Sequence, residues 1–553
     1  MKKFGIIFLY CLFHVQSQAD HLISYQLQGS YDQSQVDSIY SANNIPTIVI
    51  SAENGIDLYK VIYSTITPSG DSTIASGAVI VPTGIPCALP LSSYQHGTVL
   101  GRYTVPSYGS YELIIGLIAG GQGYMVQMPD YLGLGDSPGF HPYVHAKSEA
   151  TAVVDMLRAS RELADTLNIR LNDQIFLFGY SQGGHATMAA HREIETYHST
   201  EFQVTASCPM AGPYDVSGVQ TEVLVSDSSY PAPSYAPYII FAYQSVYGNL
   251  YDTLSHFVME PWATDLPPLF TGTNGLGSVE AIMPSVPKQI FFPHQVDSFL
   301  TDTVNHALWL ALRDNDVHDW VPQAPITMFY CEADKHINYM NAVVAHDKFR
   351  AAGATGEIKL VSGGATLDHT GCVEPALLYM KVWFEGFKSN GMELVSDVQN
   401  ESVSGAMDGI ATISVTGGSS PYQYLWSNGT TDNQISNAAA GRYHVTVSDS
   451  YGCESETSVD IDLDVTGFSQ SNLQAVVEIF PNPAQTATTL SVINSPGETI
   501  TLELKTLAGQ IVAKNEFNSQ DQYFLPLSEF ARGIYLLELN LGERVVRKKI
   551  VLN

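Results

Sequence analysis

The stretch that most constrains this 553-residue chain lies between residues 175 and 197. An apolar run, Ile175-Phe176-Leu177-Phe178, is followed by Gly179-Tyr180-Ser181-Gln182-Gly183-Gly184 and then by a helical pattern from His185 to Tyr197. The apolar run reads as a buried strand, so the chain must pass from strand to helix in a very tight turn. Backbone meets backbone in such a turn, and Gly179, Gly183 and Gly184 supply the room that flanking side chains would deny. The G-x-S-x-G pattern then stands a hydroxyl at the carboxyl edge of a sheet, where open α/β sheets place ligands. It also stands at a helix N-terminus, whose N–H groups favour developing negative charge. The plainer reading of these residues is a glycine-rich turn with an idle serine.

The first 390 residues or so repeat the alternation of strand and helix. Strands are expected at Ile48–Ile50, Ala78–Val81, Leu91–Tyr94, Tyr124–Met128, Ile175–Phe178, Ile326–Tyr330 and Ile358–Val361. Between Ser148 and Leu167, the residues Val153, Met156, Leu157, Ser160, Leu163, Ala164 and Leu167 share one helical face, with Ser148 placed to cap the helix. This order predicts an α/β fold around a mainly parallel sheet buried on both faces. Residues from about 215 to 320 break the rhythm with prolines, among them Pro231, Pro237 and Pro267, and with aromatics such as Tyr235, Tyr238 and Trp262. They read as a largely helical insertion, either a lid that carries specificity or a packed subdomain with no substrate role.

A serine hydroxyl is a weak nucleophile near neutral pH and needs a base, which an acid must orient. On a sheet of this kind the chain order is serine, acid, histidine. Asp334 follows the strand Ile326–Tyr330 and is the expected acid, with Glu332 and Asp316 as alternatives. His369 follows the strand Ile358–Val361 and is the expected base. An imidazole with a reference pKa near 6.5 can take the serine proton and return it to a leaving alcohol. His336 lies too close to the acid, and His96, His141, His145 and His185 precede or adjoin the serine. A tetrahedral intermediate needs two N–H donors. Gln182, next to the serine, is one; Gly97 or Thr98, in the loop after Leu91–Tyr94, is the other. The loop from Pro129 to Gly135 competes for that part, with Asp130, also counted among the oxyanion-hole residues, either orienting that loop by accepting backbone hydrogen bonds or simply forming a turn. No metal or organic cofactor is called for.

Composition narrows the setting. Asp and Glu total 55 against 25 Lys and Arg, a net charge of −30 that disfavours nucleic acid as a partner. Lys2 and Lys3 precede an apolar run from Phe4 to Phe13, and Ser17-Gln18-Ala19 offers a small-residue cleavage site. Residues 1–19 therefore read as a secretory leader, too short for a membrane span of roughly 20 residues. Without Cys11 the mature chain holds Cys87, Cys208, Cys331, Cys372 and Cys453, an odd number that leaves at least one thiol free or paired between chains. Cys331 and Cys372 each lie three residues from an expected site residue, either bridged or as two buried thiols.

Two small all-β domains are expected beyond the catalytic region at 20–392. In residues 398–465, Tyr443, Val445 and Val447 alternate with His444, Thr446 and Ser448, the pattern of a sandwich strand. In residues 466–553, Leu502 and Leu504 alternate with polar neighbours, Ala508-Gly509-Gln510 makes a turn, and the last strand carries Arg547, Lys548 and Lys549. A solvated edge strand accounts for such charges.

Residues 45 to about 388 resemble the α/β-hydrolase superfamily, and within it secretory lipases of the fungal lipase A type and their bacterial relatives. The matching pieces are His96-Gly97-Thr98, Pro129-Asp130-Tyr131-Leu132-Gly133, Gly179 to Gly184, Asn315-Asp316 with Asp319-Trp320, Ala333-Asp334, and His369 before Cys372. The resemblance implies an α/β-hydrolase fold with a helical cap, the triad Ser181, Asp334 and His369, ester or lipid substrates, and transient contact with a lipid interface. Lys335-His336-Ile337-Asn338 departs from the family, where a more apolar stretch ending in proline is usual. The C-terminal stretches Ile479-Phe480-Pro481-Asn482-Pro483-Ala484, Leu507-Ala508-Gly509-Gln510 and Gly533-Ile534-Tyr535 resemble the sorting domain of the type IX (Por) secretion system. That implies passage to the cell surface or medium, with the secretion machinery as a partner. Residues 398–465 resemble an immunoglobulin-like repeat of gliding-motility adhesins, in a single copy that fits a spacer. A secreted carboxylic-ester hydrolase is the expected function. A secreted serine peptidase of the prolyl-peptidase kind and a non-enzymatic surface adhesin on the same scaffold are the alternatives.

Overall fold

The computed structural model describes residues 21–46, 48, 50–463, 476–480, 482, 484, 486–493, 499–506, 510–518, 523–541 and 544–552. The expected leader at 1–19 lies outside the described residues, as do Pro481, Pro483 and most of the 507–510 turn. The chain divides into two compact units, the first holding residues 1–399, 410–437 and 441–461, the second residues 400–409, 438–440 and 462–553.

The first unit is built on one nine-stranded sheet. Its strands are β1 (Leu22–Tyr31), β2 (Gly55–Ile66), β3 (Ser72–Thr83), β4 (Leu89–Gln95), β5 (Met125–Pro129), β6 (Leu171–Tyr180), β7 (Val204–Met210), β8 (Ile326–Tyr330) and β9 (Ile358–Ser362), in the order β1-β2-β3-β5-β4-β6-β7-β8-β9. β1, β2, β3 and β5 pair antiparallel, and every pair from β5 through β9 is parallel. The parallel strands send their carboxyl ends to one edge. In register there, Gln95 lies opposite Gly179 and Tyr180 opposite Met210.

Burial on both faces explains why the Ile175–Phe178 half of β6 is continuously apolar. Phe176 and Phe178 enter the core on one face, beneath α1 (Gln33–Ala42), α2 (Leu113–Gly121) and the late helix Val373–Glu385. Ile175 and Leu177 enter the opposite core, beneath α3 (Ala146–Leu167) and α4 (Gln182–Tyr197). Two sequence expectations are corrected here. Neither Ile48 nor Ile50, the described residues of the expected Ile48–Ile50 strand, is in a strand: Ile48 sits in a turn and is 95% exposed, and the strand in this region is β2. Ser148 does not cap α3, which starts at Ala146; the Nδ1 of His145 accepts from the Ser148 N–H instead.

Between β7 and β8 the chain is helical: α5 (Thr221–Leu224), α6 (Tyr235–Tyr247), α7 (Trp262–Asp265), α8 (Leu276–Glu280), α9 (Pro293–Thr301) and α10 (Ala307–Asp314). Tyr238, Ile239, Tyr243, Phe257, Phe270 and Phe299 give this cap a core of its own. The β-sheet region closes with α11 (Met340–Ala351) and α12 (Val373–Glu385). No helix among the described residues is long and apolar enough to cross a membrane.

A small sandwich completes the unit. Strands β10 (Met392–Gln399), β11 (Gly409–Gly417), β12 (Gln423–Trp426), β13 (Gln434–Ala438), β14 (Gly441–Ser448) and β15 (Glu454–Ile461) form two three-stranded sheets. Val445 and Val447 of β14 are buried with Trp426, whereas His444 is exposed. This sandwich is tied to the sheet by the Cys87–Cys453 disulfide and by Arg170, which lies 3.2 Å from Asp449 and 3.8 Å above the ring of Tyr451.

The second unit is all β. It pairs β16 (Val476–Phe480), β17 (Ala487–Ile493) and β20 (Tyr523–Pro526) in one sheet, and β18 (Thr499–Thr506), β19 (Ile511–Asn518), β21 (Gly533–Leu541) and β22 (Arg544–Leu552) in another. Leu502, Leu504, Leu537 and Leu539 bury one face. β22 is an edge strand, and Arg547 on it donates to Glu538 at 2.8 Å.

Candidate active site

Ser181 sits between β6 and α4 with φ +60° and ψ −121°, a backbone conformation that L residues rarely adopt. Close packing holds it there. A Cβ on Gly183 would lie 1.9 Å from the carbonyl oxygen of Gln95, and one on Gly179 would lie 2.3 Å from that of Gly183. The Ser181 N–H donates to Met210 O on neighbouring β7 at 3.0 Å, which fixes the turn from the other side.

The loops after β8 and β9 bring Asp334 and His369 to the serine. His369 Nε2 lies 2.9 Å from Ser181 Oγ, and His369 Nδ1 lies 2.6 Å from Asp334 Oδ2. The other oxygen of Asp334, Oδ1, accepts the N–H groups of His336 and Ile337 at 2.8 and 2.9 Å. With its side chain only 1% exposed, Asp334 therefore has a single oxygen left for the imidazole. The Cys331–Cys372 disulfide joins the two loops, and Tyr180 Oη donates to His369 O at 2.6 Å. Of the other carboxylates considered, Glu332 is exposed and accepts from Ser362, and Asp316 accepts from the N–H and Oγ of Ser217.

The oxyanion expectation for Gly97 is corrected, and Asp130 accepts a backbone hydrogen bond from another loop. The Gly97 N–H donates to the Glu112 carboxylate, 3.0 Å from Oε2 and 3.2 Å from Oε1, so it is not free. Asp130 is fully buried, with its N–H donated to Ser76 O; its carboxylate accepts from Ser76 Oγ at 2.6 Å and from the Ser107 N–H at 3.0 Å. Asp130 is thus a buttress between loops. Burial pushes its carboxyl above the usual range, while the two serines pull it back. Thr98 N–H makes no hydrogen bond among the described residues, and Gln182 opens α4, where an N–H has no acceptor inside its own helix.

Several neighbours of the triad have roles that the sequence did not reveal. Gln182 Nε2 lies 2.9 Å from His141 Nε2 and 2.8 Å from Glu149 Oε1, and Glu149 Oε2 lies 2.6 Å from His185 Nδ1. Burial pushes the His141 imidazole down to about 3, so it stays neutral with Nδ1 turned to Leu132 O and Nε2 free to accept. His336 lies ring to ring with His369, centroids 4.9 Å apart, and edge-on to Tyr235 of the cap. Burial, then the His369 ring, pushes the His336 imidazole below its usual range. Asp215, Asp316 and His318 come close enough to suit a metal ion, with ligand atoms within 4.8 Å. They do not fit one, because His318 Nε2 already faces Asp215 at 2.9 Å and the ammonium of Lys348 at 3.0 Å.

A serine on a strand–turn–helix, with histidine and aspartate on later loops at the carboxyl edge of a capped α/β sheet, defines the α/β-hydrolase class. The secretory lipase family profile matches residues 109–370. Residues 478–553 match the secretion system C-terminal sorting domain, and residues 396–431 match the SprB repeat. The crystal structure of the rice cell wall degrading esterase LipA from Xanthomonas oryzae is 28% identical and superimposes with a TM-score of 0.59, over 67% of this chain and 100% of that one. A single-substitution variant of that esterase is 30% identical, over 66% of this chain and 95% of that one, with a TM-score of 0.57. Lipase A of Candida antarctica, 19% identical over 67% of this chain and 83% of its own, shares the fold with a TM-score of 0.51. No curated protein sequence matches the chain. The chain belongs to the secretory lipase family. It is a hydrolase with a sorting domain at its C-terminus, and it is exported to the cell surface or beyond.

Proposed function

We propose that this protein hydrolyses carboxylic esters through an acyl-enzyme formed on Ser181. The observation that carries the reading is the hydrogen-bonded row Ser181 Oγ, His369 Nε2 and Nδ1, Asp334 Oδ2, with spacings of 2.9 and 2.6 Å. As Ser181 Oγ bonds to the ester carbonyl carbon, its proton passes to His369 Nε2. Asp334 keeps the imidazole in the tautomer whose Nε2 can accept, and it stabilises the imidazolium that forms. The carbonyl oxygen, now an anion, takes hydrogen bonds from the N–H groups of Gln182 and Thr98. When the carbonyl re-forms, the C–O bond to the alcohol breaks and the alcohol leaves with the proton from His369. Water repeats the sequence, restoring Ser181 and releasing the acid. The chain's own residues do all of this, with no cofactor.

In this reading residues 215–320 are the lid over the site, residues 20–392 the catalytic domain, residues 1–19 the leader, and residues 466–553 the part handed to the type IX secretion machinery. The substrate is an ester with an apolar acyl group, met in solution or briefly at a lipid surface. The test is turnover by the full chain of p-nitrophenyl esters from two to 18 carbons, beside peptide anilides. Ester turnover that falls about 10⁴-fold or more in Ser181→Ala is expected. Cleavage of anilides but not esters would move the assignment to a peptidase.

A further inference from the structure

Helices α2 and α12 pack over the same face of the sheet, and between them lies a cavity of about 470 Å³. It is separate from the site above: neither Ser181 nor His369 lines it, although Thr370 does. Its wall is apolar, made by Ile114, Ile115 and Ile118 of α2, Leu377 and Phe384 of α12, and Phe178 of β6. Native cores keep few voids larger than one water molecule, and a volume of this size is that of a ligand pocket.

Two polar observations say what it takes. Lys381 lines the cavity and makes no ion pair or hydrogen bond among the described residues. Among the described residues the one lining acid, Glu374, stands seven residues earlier on α12, about two turns or roughly 10 Å away along the helix. The cavity is thus largely apolar, with a cation and an anion about two helical turns apart on its α12 wall.

We propose that this cavity binds a long-chain fatty acid, its tail among the α2 and α12 side chains and its carboxylate at Lys381. The like charge of Glu374 sets that polarity. Binding does not depend on chemistry at Ser181, so the proposal stands apart from the ester-hydrolysis reading. Occupancy would brace α12, which begins just after Cys372 and the His369 loop.

The test titrates the full chain carrying Ser181→Ala with palmitate and with hexadecanol, by displacement of a fluorescent fatty acid and by the shift in Tm. One equivalent of palmitate should bind and raise Tm. Ala119→Trp, which fills the cavity, should abolish binding, and the same substitution on the wild-type background should keep its ester activity as proof of folding. Lys381→Glu should weaken palmitate at least tenfold and leave hexadecanol unchanged. If Ala119→Trp does not fold, Lys381→Glu alone decides. No saturable palmitate binding, or binding that Lys381→Glu leaves untouched, would overturn the proposal. So would binding that disappears when Ser181 of the wild type is blocked by a small phosphonate, since the tail would then enter from the ester site.

Discussion

Replacing Asp334 with asparagine should cost most of the activity without disturbing the fold, and the structure shows why. Asp334 Oδ1 accepts two backbone N–H groups, from His336 and Ile337, at 2.8 and 2.9 Å. In Asp334→Asn the amide oxygen must stay there, because turning the amide would set NH₂ against two donors. The NH₂ group then faces His369 Nδ1, now 2.6 Å from Oδ2. Nδ1 becomes the acceptor, and the imidazole proton moves to Nε2, which points at Ser181 Oγ from 2.9 Å. Both partners then offer a proton, and the serine has no base. A wrong tautomer of this kind lowers kcat by about 10⁴, equivalent to about 5.4 kcal/mol of lost transition-state stabilisation. The assay is kcat and KM on p-nitrophenyl butyrate, with urea unfolding as the control. We expect kcat to fall by that order, KM to change little, and unfolding to remain cooperative. A variant that keeps a tenth of wild-type kcat would refute the reasoning.

Three further outcomes follow from the same geometry. Paired serine substitution of Cys331 and Cys372 opens a loop with a sequence separation of 41; a chain-entropy estimate puts the loss near 4 kcal/mol, and both Tm and kcat should drop, whereas an unchanged kcat would show that the loops need no tie. Burial holds His141 down to about 3 and His145 down to about 4, so between pH 6.5 and pH 5 the unfolded chain binds protons that the folded one refuses, and stability should decline by up to about 1.4 kcal/mol per pH unit for each histidine. The raised carboxyls of Asp130 and Asp316 act in the opposite sense at lower pH; urea midpoints that stay constant from pH 6.5 to pH 5 would contradict the burial of these rings. Gly183→Ala sets a methyl group 1.9 Å from the Gln95 carbonyl oxygen, with backbone on both sides and no side chain to yield, so a loss of more than about 3 kcal/mol is expected; soluble Gly183→Ala protein with the wild-type Tm would argue against the tight turn.

Where residues carried chemistry and backbone demands together, the sequence was readable. Three glycines around Ser181 can be explained only by a turn this close, and the order of Ser181, Asp334 and His369, each just after a parallel strand, put them at one edge. Where pattern stood alone, it misled. Ile48–Ile50 is apolar but only three residues long, behind Pro46, and period cannot distinguish so short a run from an exposed turn. β1 was overlooked although Ile23, Tyr25 and Leu27 alternate with polar residues: it is an edge strand, those side chains stay about half exposed, and the alternation spans only a few residues. β7 hid because Val204–Met210 contains Ser207, Cys208 and Pro209. The oxyanion loop failed on a tertiary contact, since the Glu112 carboxylate that takes the Gly97 N–H comes from the start of α2, 15 residues away. His336 was set aside for lying next to the acid, yet the turn after Asp334 folds its ring back onto His369.

The most direct measurement is the reaction of the full chain with a fluorophosphonate, followed by peptide mapping in the mass spectrometer. A single adduct on the peptide containing Ser181, formed quickly in the wild type and slowed by orders of magnitude in His369→Ala, is the predicted result. An adduct on any other residue, or equal labelling rates with and without the imidazole, would contradict the assignment of Ser181 as the activated nucleophile.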